Sequence, residues 1–198
     1  MWLACRTPEG SAAYNLGAVF ELEGAVDPAA LGRAFQQLVA RHEALRTVFA
    51  VRAGVLRQRV LRELPLAAIF RVTDRAGAAP DAIDAALAAR IAEPFDLEGG
   101  PLVDAELARA GEASHRLLVR LHHLAGDAVS MQVLLAEALA LYAAARAGTE
   151  APLRPLPVQY KDFAAWQRAR LAQGGAAASR RYWLDTLDAA MPRVRIAP

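Results

Sequence analysis

The chain has 198 residues, enough for one domain or two small lobes around a sizeable core, and 55% of them are apolar, which excludes a disordered chain. The net charge is +2, acids and bases are interspersed, and no basic block sits beside exposed aromatics, so no nucleic-acid partner is expected. Cys5 is the single cysteine, which excludes an internal disulfide and a cysteine-rich zinc site.

Taken in chain order, Arg6 and Glu9 interrupt any secretory pattern at the start. Asp27-Pro28 is a cap followed by proline at the first helical position. Leu31, Ala34, Phe35 and Leu38 then repeat at helical spacing, and this helix is expected to end near "RHEALRT". "TVFAV" and "VLRQRV" flank Arg52-Ala53-Gly54 and predict a hairpin. "AIFRV" predicts a further strand, and Pro80 to Ala92 a helix. After the Gly99-Gly100-Pro101 break, "LVDAELAR" and "HRLLVRLHH" predict paired strands. Met131, Leu134, Leu135, Ala138, Leu141, Tyr142 and Ala145 keep one face of a long helix apolar, with Ser130 placed to cap it. A proline-rich connection, residues 152 to 157, precedes two helical stretches, "YKDFAAWQRARLA" and "AAASRRYWLDTLDAA". The mixture predicts a layered α/β structure. Apolar runs are broken by charge before the eighteen or so residues a membrane span needs, so a cytoplasmic protein without a membrane segment is expected.

The candidate site lies in "RLHHLAGDAVS", residues 120 to 130. Side chains alternate across a strand. Leu117, Val119, Leu121 and His123 therefore share one face, apolar until it reaches His123. Arg116, Leu118, Arg120 and His122 share the other, which the two arginines mark as wetter. His123 is expected at the mouth of an apolar cavity, where an imidazole with a pKa near 6.5 can take a proton from an amine or hydroxyl. The bland alternative is a core histidine that bonds a backbone carbonyl and does no chemistry. Asp127 either orients the imidazole or pairs with an arginine. No HExxH, CxxC or HxH spacing exists, so no metal site is expected. Ser130 lacks the GxSxG context of a hydrolase nucleophile.

Four blocks together resemble the condensation domains of nonribosomal peptide synthetases, within the chloramphenicol acetyltransferase-like acyltransferases. "HHLAGDAVS" resembles the HHxxxDG signature, "RHEALRTVF" an RHExLRTxF block, "YKDFAAWQ" a YxDFAxW block, and "MWLACRTPEGSAAYN" the tail of the first motif. The resemblance implies a mixed β-sheet flanked by helices, one half of a V-shaped pair of subdomains with a tunnel between them. Residues 1-184 would form the N-terminal subdomain, and 185-198 the start of the connection to a C-terminal subdomain absent from this chain. Donor and acceptor peptidyl carrier proteins would present substrates on phosphopantetheine arms, with no cofactor bound directly. His123 would be catalytic in amide formation, His122 supporting, and Asp127 structural, salt-bridged to Arg46.

The motif glycine is replaced by Ala128. If that position needs a positive φ, alanine costs about 1 kcal/mol; if it already begins the helix, almost nothing. Tyr160, Phe163 and Trp166, three residues apart, are expected to dock a helix, and the arginines of 168 to 181 to form a solvated face. Other readings that stay open are an ester-forming domain and a noncatalytic module that recruits carriers or a partner synthetase.

Overall fold

The computed structural model describes residues 1–187. Most of the expected connection at 185-198 lies outside the described residues. The described chain divides into two compact units, Met1–Pro157 and Val158 onward. The division falls at the end of the proline-rich stretch.

The first unit begins with a short helix, α1 (Pro8–Ala12), capped by Thr7, followed by β1 (Asn15–Glu23). No local sequence signal predicts this strand, yet Leu16, Phe20 and Leu22 alternate toward the core. A Cβ on Gly17 would meet Ile91 Cγ1 at 2.6 Å, so this strand needs glycine where the fourth helix crosses it. Next comes α2 (Pro28–Arg41), started by Asp27, whose carboxylate accepts from Ala29 N at 2.9 Å and Ala30 N at 3.0 Å. Its predicted stripe of Leu31, Ala34, Phe35 and Leu38 is buried. The expected hairpin is β2 (Thr47–Arg52) and β3 (Val55–Val60). Its two-residue turn has φ of 50° at Ala53 and 73° at Gly54, the signs that suit the twist of a tight hairpin.

A single turn, α3 (Leu66–Ile69), leads into β4 (Phe70–Asp74), then α4 (Pro80–Ile91), β5 (Val103–Arg109), β6 (Ser114–His122) and the long α5 (Ala128–Ala147). The main sheet has the order β1-β6-β5-β4. β4 and β5 run parallel, and the other neighbours are antiparallel. One sheet face presents Val103, Ala105, Leu107, Leu117, Val119 and Leu121 to the core formed with α2 and α5. The opposite face packs Ala108 and Leu118 against Ile83 and Leu87 of α4. This is the mixed sheet flanked by helices that the sequence predicts.

Two expectations are corrected. The face carrying Arg116, Leu118, Arg120 and His122 is not wet: Leu118 and His122 are 0% exposed and Arg120 is 2% exposed. Helix α4 covers it, and Asp104, directly opposite Arg120 on β5, neutralises the guanidinium through bonds of 3.0 and 2.5 Å. The second correction concerns α5, whose 20 residues are long and apolar enough, by length and composition, to cross a membrane. Packing accounts for part of that composition, since Val129, Val133 and Leu139 are exposed. Met131, Leu134, Ala138, Leu141 and Ala144 are buried, and Glu137 on the same helix pairs with Arg41 at 3.0 Å and His42 at 2.6 Å.

The second unit contains α6 (Tyr160–Ala172) and α7 (Ala177–Thr186). Gln159 and Asp162 form a reciprocal cap at the start of α6. Along α6 the rings of Tyr160, Phe163 and Trp166 follow one another at 5.9 and 5.7 Å, and the Arg170 guanidinium lies 5.4 Å from the Trp166 ring.

Candidate active site

The site forms where β6 runs out. His122 is the last strand residue, and the amide of His123 still bonds Tyr14 O, at 2.9 Å. The chain then turns, with Ala125 N donating to His122 O at 2.8 Å, before α5 begins at Ala128.

The half-buried His123 ring has its Nδ1 2.9 Å from the carbonyl oxygen of Gly126. A carbonyl only accepts, so Nδ1 carries the proton and a neutral His123 keeps its lone pair on Nε2. Among the described residues nothing bonds Nε2. The carbonyl bond that the bland reading expects is present, and it leaves the lone pair of the other nitrogen unengaged among the described residues.

His122 is arranged the opposite way. Leu124 N donates to its Nδ1 at 3.1 Å, so that nitrogen holds the lone pair. Its Nε2–H then faces Ser11 Oγ at 3.3 Å, joining α1 to the loop. Burial, with the adjacent His123 adding to it, holds the His122 pKa below the usual histidine range despite the Ser11 contact. Phe95 meets the ring edge-on at 6.1 Å, and the Arg120 guanidinium covers Phe95 at 4.6 Å. His122 is therefore a buried, neutral support for the loop.

Asp127, not Ser130, is the N-cap of α5. Its Oδ1 accepts from Ser130 N at 2.8 Å and from Ser130 Oγ at 2.7 Å, and these two bonds hold the carboxyl below the usual range. The expected salt bridge to Arg46 is not formed. Arg46 closes a turn (Glu43–Arg46) ahead of β2, and its guanidinium donates to Leu61 O at 2.6 Å and Ala40 O at 3.4 Å. Arg46 thus ties the end of α2 to the exit of β3, while the Asp127 oxygen is committed to its own helix. Ala128 is the first helical residue, and the one non-glycine described residue with positive φ is Ala53. Alanine in place of the motif glycine therefore costs nothing in backbone conformation.

Two contributors were not foreseen from sequence. Gly126 supplies the carbonyl under His123, and a Cβ there would meet Ser130 Cβ at 2.8 Å and Leu121 Cδ2 at 2.9 Å. A glycine inside an otherwise ordinary loop was the available signal. Ser11 had none, because 111 residues separate it from His122. An open groove of about 680 Å³ lies on the His122 side, lined by Trp2, Cys5, Ser11, Phe49, Phe95 and Leu97 among others. His123 is not among its lining residues, so this is not the cavity expected at that imidazole. Among the described residues no three histidine, cysteine or acidic side chains gather as a metal site.

The profile of the condensation domain matches residues 1–198. The chain belongs to the condensation-domain family. It is 35% identical over 196 residues to chondramide synthase cmdD of Chondromyces crocatus, covering 97% of this chain and 5% of that protein. The starter condensation domain of rhizomide synthetase RzmA superposes with a TM-score of 0.82 at 25% identity, over 95% of this chain and 46% of that one. The X-domain of teicoplanin biosynthesis, solved in complex with OxyB, superposes with a TM-score of 0.84 at 32% identity, over 100% of this chain and 43% of that one. This condensation-domain chain therefore spans a small part of the curated synthetase and under half of each solved relative. Its mixed sheet and helices are the chloramphenicol acetyltransferase-like half that the sequence motifs implied.

Proposed function

We propose that the chain supplies the N-terminal, histidine-bearing half of an amide-forming condensation domain. Donor and acceptor peptidyl carrier proteins bring the reactants on phosphopantetheine arms, and a C-terminal subdomain closes the opposite wall of the tunnel. The acceptor's amine nitrogen attacks the donor's thioester carbonyl. The new C–N bond forms, the C–S bond breaks, and the donor arm leaves as its thiol. His123 Nε2 accepts the proton that the nitrogen sheds and passes it to the departing sulfur, so that the imidazole is restored to its neutral form. One observation carries this reading: the Nδ1–H of His123 is tied to Gly126 O, which fixes the tautomer that presents a basic Nε2. The half tunnel alone cannot exclude water from the transition state, so the isolated chain is expected to be inactive.

The test is reconstitution of the complete domain with both loaded carriers. His123→Ala should reduce amide formation by a factor of about 10² to 10⁴, the usual contribution of a positioned acid–base group. Undiminished product would remove His123 from the mechanism.

A second reading is a noncatalytic recruiting module. The match to the X-domain over the full length of this chain, in a complex with another enzyme, favours it. It requires an unchanged affinity for the recruited partner when His123 is replaced.

A further inference from the structure

The β2–β3 ribbon carries a charge pattern that the condensation reading does not use. Residues 47 to 62 contain Arg52, Arg57, Arg59 and Arg62 and no acidic residue. The register pairs Arg52 with Val55, Ala50 with Arg57 and Val48 with Arg59, so Arg52, Arg57 and Arg59 share one face of the ribbon. All three are exposed, and none forms an ion pair with a described residue. Three arginines of the main sheet differ: Arg71 is bound by Glu106, Arg116 by Glu21, and Arg120 by Asp104.

The ribbon also has an open edge. Phe49 N turns away from β3 to bond Leu97 O at 2.7 Å, so one edge of β2 is in use. Residues opposite one another in an antiparallel pair point their backbone groups the same way, both inward or both outward. Gln58 faces Phe49, and it therefore points outward on the β3 side, as do Leu56 and Val60 by alternation. The sheet has two strands, and no other described backbone group bonds these three amides. On a strand added to this edge, the positions opposite Arg57 and Arg59 are the non-hydrogen-bonded ones, where side chains come closest.

We propose that the outer edge of β3 docks an acidic, extended protein segment. The segment adds to the ribbon as a third, antiparallel strand, with carboxylates at alternate positions facing Arg57 and Arg59. Alternate residues on a strand are roughly 7 Å apart on both partners, so two charge pairs form in register. Arginines on an open edge repel a second copy of the same edge and a neutral strand gains no charge pairing there, which selects for acid. The face has no aromatic ring on which a nucleic-acid base could stack, and Val55 is its one exposed apolar residue, too little to enter a lipid surface.

The experiment uses the full 198-residue chain and a labelled synthetic peptide alternating glutamate and threonine, read by fluorescence anisotropy. Saturable binding is expected, with hydrogen-exchange protection at the amides of Leu56, Gln58 and Val60. The double variant R57Q/R59Q should bind about tenfold more weakly, the size of two exposed charge pairs, with an unchanged melting curve. The proposal is overturned by equal binding of a peptide with its glutamates in one block, or of one N-methylated at alternate residues. Protection elsewhere, binding only of phosphatidylserine vesicles or single-stranded RNA, or no binding at all would overturn it too.

Discussion

His122 and His123 are adjacent in sequence and carry their protons on opposite nitrogens. The Leu124 amide needs a lone pair on Nδ1 of His122, while the Gly126 carbonyl needs a proton on Nδ1 of His123. Strand alternation separates the rings, and two backbone groups of one short turn assign their tautomers. One histidine is thereby built into the fold, and the other is left with a basic nitrogen.

The tautomers are directly observable. Nitrogen-15 shifts of the ring atoms, measured on the neutral protein, should report protonated Nε2 in His122 and protonated Nδ1 in His123. The same tautomer in both rings would contradict the assignment.

Acid should weaken the fold in two stages. The His122 pKa is lowered by burial, and that of His115 by burial with Arg109 nearby. The unfolded chain therefore takes up these protons first, near pH 6.5. Stability is full above that value and falls as pH drops through it toward the folded-state values. Glu137 adds a later loss. Its burial favours the neutral acid, but bonds from His42 and Arg41 outweigh that and hold its pKa low. Its contribution is present above the unfolded carboxyl value of about 4.3 and disappears as pH falls through the folded one. Urea denaturation across this range measures both stages, and His122→Asn should flatten the first.

Gly126→Ala should damage the site through sterics alone, since the added methyl meets Ser130 and Leu121. Overpacking of this kind costs about 1–3 kcal/mol. The displaced carbonyl should release His123, mixing its tautomers and lowering turnover in the reconstituted domain. Wild-type turnover with a single His123 tautomer would show that the turn absorbs the methyl without moving.

Asp127 and Arg46 should behave independently. Asp127→Ala removes the cap of α5 and should lower the melting temperature more than Asp127→Asn, which keeps an acceptor for Ser130. Arg46→Gln weakens the tie to Leu61 and Ala40. The double variant should show the sum of the single effects. A strong coupling between them would restore the ion pair that the motif resemblance suggested.

Ala128→Gly, which restores the motif residue, should lower stability by up to about 1 kcal/mol without raising activity, because alanine is the better residue at a helix start with ordinary φ. Increased turnover of the glycine variant in the reconstituted domain would count against this.

The sequence by itself determined the elements whose signals are local. Asp27-Pro28 and the stripe from Leu31 to Leu38 specify α2, Ala53-Gly54 specifies the hairpin, and strand parity separates His122 from His123. Motif spacing went further and identified the family. Tertiary structure decided what each polar group does, because hydrogen-bond partners are set by elements far apart in the chain. Arg120 reads as a mark of a wet face until Asp104 and α4 bury it. Asp127 reads as a partner for arginine until the start of α5 claims its oxygen. The tautomer of His123 depends on where the Gly126 carbonyl points, which no residue type encodes and only the packing of Gly126 against Leu121 and Ser130 fixes.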